Sequence, residues 1–393
     1  MKILLGGVPL GCDNIGDEAI ISCVVGLLRE ICPQAELTVS TRDTENTAHL
    51  LGVDAVPLYG FLPRPDWKKF AEVVRNFDVY IWFGATGLSD YPEFGVRLLE
   101  IAQRAKVRTI VWGVGMNSQL NPAFYRASGR KRQLLGAFSH LTGNRVDFIK
   151  LYENLLGQKT RRHIGRALKK CELVVLRDEE SVREVARCGY NSAVLGADTA
   201  IRLPASAQLP LADAPNLRRV GFCISAQNAV RDRESVRQLW EKLLLLPDVQ
   251  IVLIPMNPVT DRKLMLELAS GTEPPNRIVC LDRVLPADVQ AAASQCRVVV
   301  SSRLHLLILS ANVGVPGLGL ERGSKISNFL RNFHRKASGS VDDFDAQALY
   351  NEILAILNDD PAAIRKDMAQ IMDKLHRRLD AAARQLRCVL AEK

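Results

Sequence analysis

Short, fully apolar runs alternate with helix-length amphipathic segments along almost all of this 393-residue chain. That alternation limits the fold more than any single residue does. A run such as Val298-Val299-Val300, which follows Arg297, has no polar residue on alternate positions, so it predicts a strand buried on both faces, as in parallel sheets covered by helices. Similar strands are predicted at Met1–Val8, Glu36–Ser40, Val79–Phe83, Thr109–Val114, Leu173–Leu176 and Ala193–Leu195. Between them lie helical segments from Asn14 to about Ile31, Thr44–Leu51, Phe94–Ala105 and Ser181–Cys188. A proline-bearing stretch, Leu203–Asn216, with Pro204, Pro210 and Pro215, breaks the pattern. The alternation then resumes with strands at Val220–Ser225, Gln250–Pro255 and Ile278–Cys280. The fold class expected is therefore α/β with two Rossmann-like domains, residues 1–203 and 204–340, followed by a helical tail over 341–393. One core is too small for a chain of this length.

Charge is concentrated. Residues 126–170 hold twelve Lys and Arg against Asp147 and Glu153, a local charge of +10 in a chain whose total is +9. The surrounding segment, 120–170, reads as a basic helical insert in the first domain. Such a segment suits phosphorylated substrates, an anionic membrane face or a solvated helical surface. Nucleic acid is not expected, because no recognition helix or aromatic interleaving accompanies the charge. The apolar stretch Leu304–Leu320 is broken by Ser310, Asn312, Gly314 and Pro316, so no membrane span is expected. Nine scattered cysteines without a CxxC pair fit reduced cytosolic thiols, so the expected location is cytoplasmic. Six histidines without HExxH spacing give no metal site.

The stretch Arg297–Leu320 carries the candidate chemistry. After its strand, Ser301 and Ser302 are suited to cap a helix on which Leu304, Leu307, Ile308 and Ala311 repeat at helical spacing. Gly314 and Pro316 close that helix. Arg303 and His305 then fall in its first turn, just past the carboxyl end of a strand, where open α/β sheets bind ligands and helix N–H groups favour anions. An Arg on the surface and a half-buried structural His is the plainer alternative. The first loop, Gly6 to Ile20, is glycine-rich but lacks both the Walker and the dinucleotide spacing. Its Asp17 and Glu18 also fit as partners of a helix dipole.

Taken in order, four stretches resemble the polysaccharide pyruvyl transferase family. They are Asn14-Ile15-Gly16-Asp17-Glu18-Ala19-Ile20, Arg177-Asp178-Glu179-Glu180-Ser181, Asp198-Thr199-Ala200, and Arg303-Leu304-His305 followed by Gly314-Val315-Pro316 and Lys325. Two departures stand out. Gly84-Ala85-Thr86-Gly87 replaces a triple glycine, and Leu320-Glu321-Arg322-Gly323-Ser324-Lys325 lacks a Tyr before the Lys. The resemblance implies a GT-B-like pair of domains. It also implies transfer of a pyruvyl group from phosphoenolpyruvate to sugar hydroxyls of a cell-surface polysaccharide or its precursor, forming a ketal.

Within that resemblance Arg177, Arg303 and Lys325 match positions that hold the donor anion, and no cofactor is implied beyond the donor itself. His305 becomes the general acid/base, and Asn14 and Asp17 become candidates for holding the sugar from the other domain. Asp17 fits equally as a residue that orients the helix start. The sequence leaves open whether the acceptor is lipid-linked, polymeric or a nucleotide sugar. A nucleotide-sugar-dependent glycosyltransferase of the same fold and a non-catalytic sugar- or lipid-phosphate-binding relative stand as alternatives.

Overall fold

The computed structural model describes residues 1–392 other than 62, 64, 207–210, 213, 215, 228, 283 and 284. Pro210 and Pro215 of the expected linker therefore lie outside the described residues. The chain forms two compact units that are not simply successive. The first comprises Met1–Pro9, Cys32–Gly196 and Arg384–Lys393; the second comprises Leu10–Ile31 and Ala197–Ala383.

In the first unit the strands are β1 (Lys2–Gly6), β2 (Glu36–Thr41), β3 (Asp54–Pro57), β4 (Val79–Phe83), β5 (Arg108–Val114), β6 (Leu173–Leu176) and β7 (Val194–Leu195). They pair in parallel in the order β3-β2-β1-β4-β5-β6-β7. This is a doubly wound sheet whose strand order reverses between β1 and β4. All five residues of β4 are buried, as its uninterrupted apolar sequence requires. Trp82, its fourth residue, is fully buried, and a Cβ at Gly7, Gly87 or Gly95 would lie within 2.6 Å of the indole. Those glycines are needed for the space the ring occupies.

The second unit repeats the plan with β8 (Arg218–Cys223), β9 (Val249–Leu253), β10 (Ile278–Cys280), β11 (Val298–Ser301) and β12 (Gly317–Gly319). The order is β10-β9-β8-β11-β12, again parallel, and the reversal lies between β8 and β11. Its core includes Phe222 and Trp240, packed edge to face at 5.6 Å. Leu349 and Ile353 of the helix Ala346–Asn358 are fully buried in the same core, so this part of the tail is structural.

The helix after β11, Leu304–Asn312, buries Leu304, Leu306, Leu307, Ile308 and Leu309. It is apolar all round because other elements of its unit enclose it on every side, and the one-sided spacing read from the sequence understates this. Five such side chains contribute roughly 8–15 kcal/mol of gross transfer free energy. The residues at its start therefore stand on a rigid support.

Candidate functional site

The second unit gathers most of the residues singled out in the sequence at the switch point of its sheet. Ser301 and Ser302, expected as helix caps, serve the loops instead. Ser302 Oγ accepts the Ser225 N–H at 2.8 Å, tying the loop after β8 to the loop after β11. Ser301 Oγ accepts the Arg303 N–H at 2.9 Å. Arg303 itself takes the N-cap position in extended backbone, and His305 follows in the first turn.

Arg303 is held by a carboxylate that sequence reasoning did not find. Its Nη2 and Nε donate to Asp261 Oδ1 and Oδ2 at 2.8 and 3.0 Å. Asp261 is fully buried at the start of the helix Thr260–Ala269 and also accepts the N–H groups of Ala226 and Asn257. Burial opposes the charge on Arg303, but the hydrogen bonds and charge of Asp261 outweigh it and raise its pKa. An Asp in a first helical turn looks like a plain dipole partner, so its sequence context carried no signal.

This pairing changes what Arg303→Ala should do. Breaking a buried pair leaves one charge uncompensated. The variant should lose about 3 kcal/mol of unfolding free energy, the low end for such pairs because Arg303 is partly exposed, besides any loss of ligand binding. Urea denaturation checks this, and an Arg303→Ala/Asp261→Ala double variant should recover part of the loss.

His305 is nearly buried. Its Nε2 lies 3.5 Å from Asp198 Oδ2, at ion-pair range, while Asp198 Oδ1 accepts the Ala200 N–H. The opposite edge of the imidazole meets Gly16. A Cβ built there would stand 2.1 Å from Nδ1 and 2.6 Å from Cγ.

Gly16 belongs to the helix Ile15–Ile31, and here the structure corrects the sequence reading. Asn14 and Asp17 were expected to face the site from the other domain. Leu10–Ile31 instead belongs to the second unit, with the Ile15 N–H donating to the Met256 carbonyl at 3.0 Å. Eleven of the seventeen residues of this helix are buried. Asn14 Oδ1 accepts the Gly16 N–H, and Asn14 Nδ2 donates to Asp17 Oδ2 at 2.6 Å. Burial raises the pKa of Asp17 from its ordinary value, against the pull of His305, Asn14, Lys325 and Arg303. Asp17 therefore keeps a proton to higher pH than an ordinary carboxylate does.

Lys325 opens the helix Lys325–Leu330. Three residues before it stands Arg322, which sequence reasoning noted only as part of a departure. Its Nε and Nη2 are buried and have no hydrogen-bond partner among the described residues. Burial lowers its pKa, and the charge of Arg303 adds to the effect while Asp342 and Asp261 oppose it. A guanidinium with two buried, unsatisfied donors is suited to receive an anion. Among the described residues, no group of three or more His, Cys, Asp or Glu is placed to hold a metal ion.

In the first unit, Arg177 follows β6 and is buried, with Nε 3.3 Å from Asp178 Oδ2 and Nη2 3.5 Å from Thr86 Oγ1. A Cβ at Gly115 would stand 2.6 Å from its Nε.

The profile of the polysaccharide pyruvyl transferase family matches residues 14–324. The chain belongs to that family. No curated protein matches the sequence. Among solved structures, MnaA of S. aureus with UDP superposes with a TM-score of 0.60 at 11% identity, covering 94% of this chain and 91% of that one. HepE of Anabaena in complex with UDP-glucose gives 0.59 at 12%, covering 98% and 99%. The glycotransferase of kitacinnamycin gives 0.57 at 12%, covering 97% of each chain. At these identities the likeness is one of fold, the GT-B type of two Rossmann-like domains.

Both departures from the family pattern fall beside cations. In the loop Gly84–Gly87, Ala85 adopts φ +56° where the family has glycine, and Thr86 offers its hydroxyl to Arg177. The second stretch, Leu320–Lys325, which lacks the tyrosine, contains Arg322.

Proposed function

We propose that this member of the family transfers the pyruvyl group of phosphoenolpyruvate to two hydroxyls of a sugar in a cell-surface polysaccharide or its precursor, forming a ketal. The observation that carries the reading is the arrangement around His305. A nearly buried imidazole paired with Asp198 shares one unit with Arg303, Arg322 and Lys325, at the switch point of the sheet.

Phosphoenolpyruvate brings a carboxylate and a phosphate, so its site needs several fixed cations. The unsatisfied donors of Arg322, the Nη1 edge of Arg303, Lys325 and the free N–H groups at the start of the helix Leu304–Asn312 supply them. Arg177 of the first unit is a further donor-binding candidate. His305 protonates the methylene carbon of the donor, and positive charge develops at C2. A sugar hydroxyl adds to C2 and returns a proton to His305. The C2–O bond to phosphate then breaks, and a second hydroxyl closes the ketal while its proton leaves with phosphate. The charge of Asp198 stabilises the imidazolium in each half of the cycle. Asn14 and Asp17 are candidates for hydrogen bonding to the sugar. No step requires a metal, since side chains carry the positive charge.

Donor titration tests the cation assignment. Arg322→Met should weaken phosphoenolpyruvate binding about ten- to a hundredfold, the worth of a lost charge-assisted hydrogen bond. The affinity should be the same with and without EDTA. Unchanged donor affinity in Arg322→Met would remove Arg322 from the site. Dependence on magnesium or manganese would favour nucleotide-sugar chemistry.

A further inference from the structure

The first unit carries a surface that the chemistry above does not use. The segment 122–168 folds as helices Pro122–Tyr125, Gly129–Leu141 and Phe148–Leu168. On the middle helix Leu134, Phe138 and Leu141 recur at i, i+4 and i+7, which places them along one face. They are 62%, 53% and 81% exposed. Phe124, Val146, Leu151 and Leu155 nearby are exposed as well. Isolated exposed apolar residues are ordinary, but a stripe of this kind marks an interaction surface.

Cations frame it. Arg130, Lys131 and Arg132 occupy the first turn of the middle helix, and Arg145 and Lys150 lie beyond its end, all exposed. That first turn holds no acidic residue. Three positive charges there oppose the helix dipole, so the dipole does not account for them, although Lys131 is anchored locally, donating to the Tyr152 hydroxyl at 2.6 Å. A second copy of the chain would set +10 against +10, and a nucleic acid offers nothing for a Leu/Phe stripe to enter. An anionic lipid leaflet meets both features at once, with headgroup charge for the cations and acyl chains for the stripe.

We propose that the helices Gly129–Leu141 and Phe148–Leu168 dock on an anionic membrane surface, with Leu134, Phe138 and Leu141 entering the headgroup–acyl boundary. The docking is independent of the reaction, and it holds the enzyme where lipid-linked glycans are found.

Cosedimentation with phosphatidylcholine vesicles, with and without phosphatidylglycerol, tests this for the whole protein at low and high salt. The wild type should bind the anionic vesicles and retain part of that binding at high salt. Leu134→Ser/Leu141→Ser should bind about tenfold more weakly at both salts. Phe138 is kept in that variant because its ring rests 6.1 Å from Phe148. Arg130→Gln/Lys131→Gln/Arg132→Gln should lose roughly a hundredfold at low salt, about fivefold per cation. Circular dichroism should be unchanged in both. Negligible binding by the wild type, equal binding to neutral vesicles, or an apolar variant that binds as well as the wild type would each overturn the proposal. Self-association through this face without vesicle binding would assign it to a second copy and overturn it too.

Discussion

Replacing His305 by asparagine should lower turnover by roughly 10²–10⁴-fold while leaving donor affinity within a few-fold of the wild type. Asparagine keeps the approximate size and one hydrogen-bonding edge but cannot take up or release a proton in this range. The helix that carries His305 is buried all round, so the backbone should not move. Single-turnover rates and donor titration separate the two quantities. A His305→Asn protein that binds phosphoenolpyruvate and turns over normally would remove the acid/base role. A variant that loses binding and turnover in equal measure would make His305 a ligand for the donor.

The second large effect is expected at a residue with no functional group. Gly16→Ala lies in the first turn of a helix, where propensity alone would favour alanine by at most about 0.5–1 kcal/mol, the figure for a helix interior. Here the new methyl would stand 2.1 Å from His305 Nδ1 and under 3 Å from the Cβ of that histidine, so the whole ring must shift. Displacing the ring from Asp198 should cost most of what His305 supplies, roughly 10²–10³-fold in turnover. Backbone strain plays no part, because Gly16 is not among the positive-φ glycines. The measurement is turnover beside thermal unfolding. A Gly16→Ala protein with full activity would show that the imidazole position is not important.

Much of the fold was legible because buried parallel strands leave long apolar runs. The expected strands at Val79–Phe83, Leu173–Leu176 and Ile278–Cys280 match to the residue, and most others to within one or two positions. What escaped has physical reasons. Strand β3 is half-exposed and ends in Pro57, so it shows neither a full apolar run nor a clean alternation. The helix Trp67–Val73 is too short to display a period.

Motifs singled out Asn14, Asp17, Arg303, His305 and Lys325, and the structure puts all five in the second unit, Asn14 and Asp17 against expectation. The candidate site was not legible where tertiary packing decides. Nothing local tells that Asp261 pairs with Arg303, forty-two residues on. The side-chain donors of Arg322 look like any surface arginine until burial leaves them unsatisfied. Nor does the order of elements along the chain reveal that the helix Ile15–Ile31 joins the second unit, since a βα step ordinarily packs its helix on its own sheet.

The central claim is donor chemistry, and phosphoenolpyruvate labelled at the methylene carbon tests it most directly. Incubated with the wild-type protein and a panel of free, nucleotide-linked and lipid-linked sugars, the label should appear as the methyl group of a sugar-bound ketal, with one phosphate released per ketal formed. Release of phosphate without labelled sugar, or transfer of a glycosyl group from a nucleotide sugar while phosphoenolpyruvate stays untouched, would contradict pyruvyl transfer by this chain.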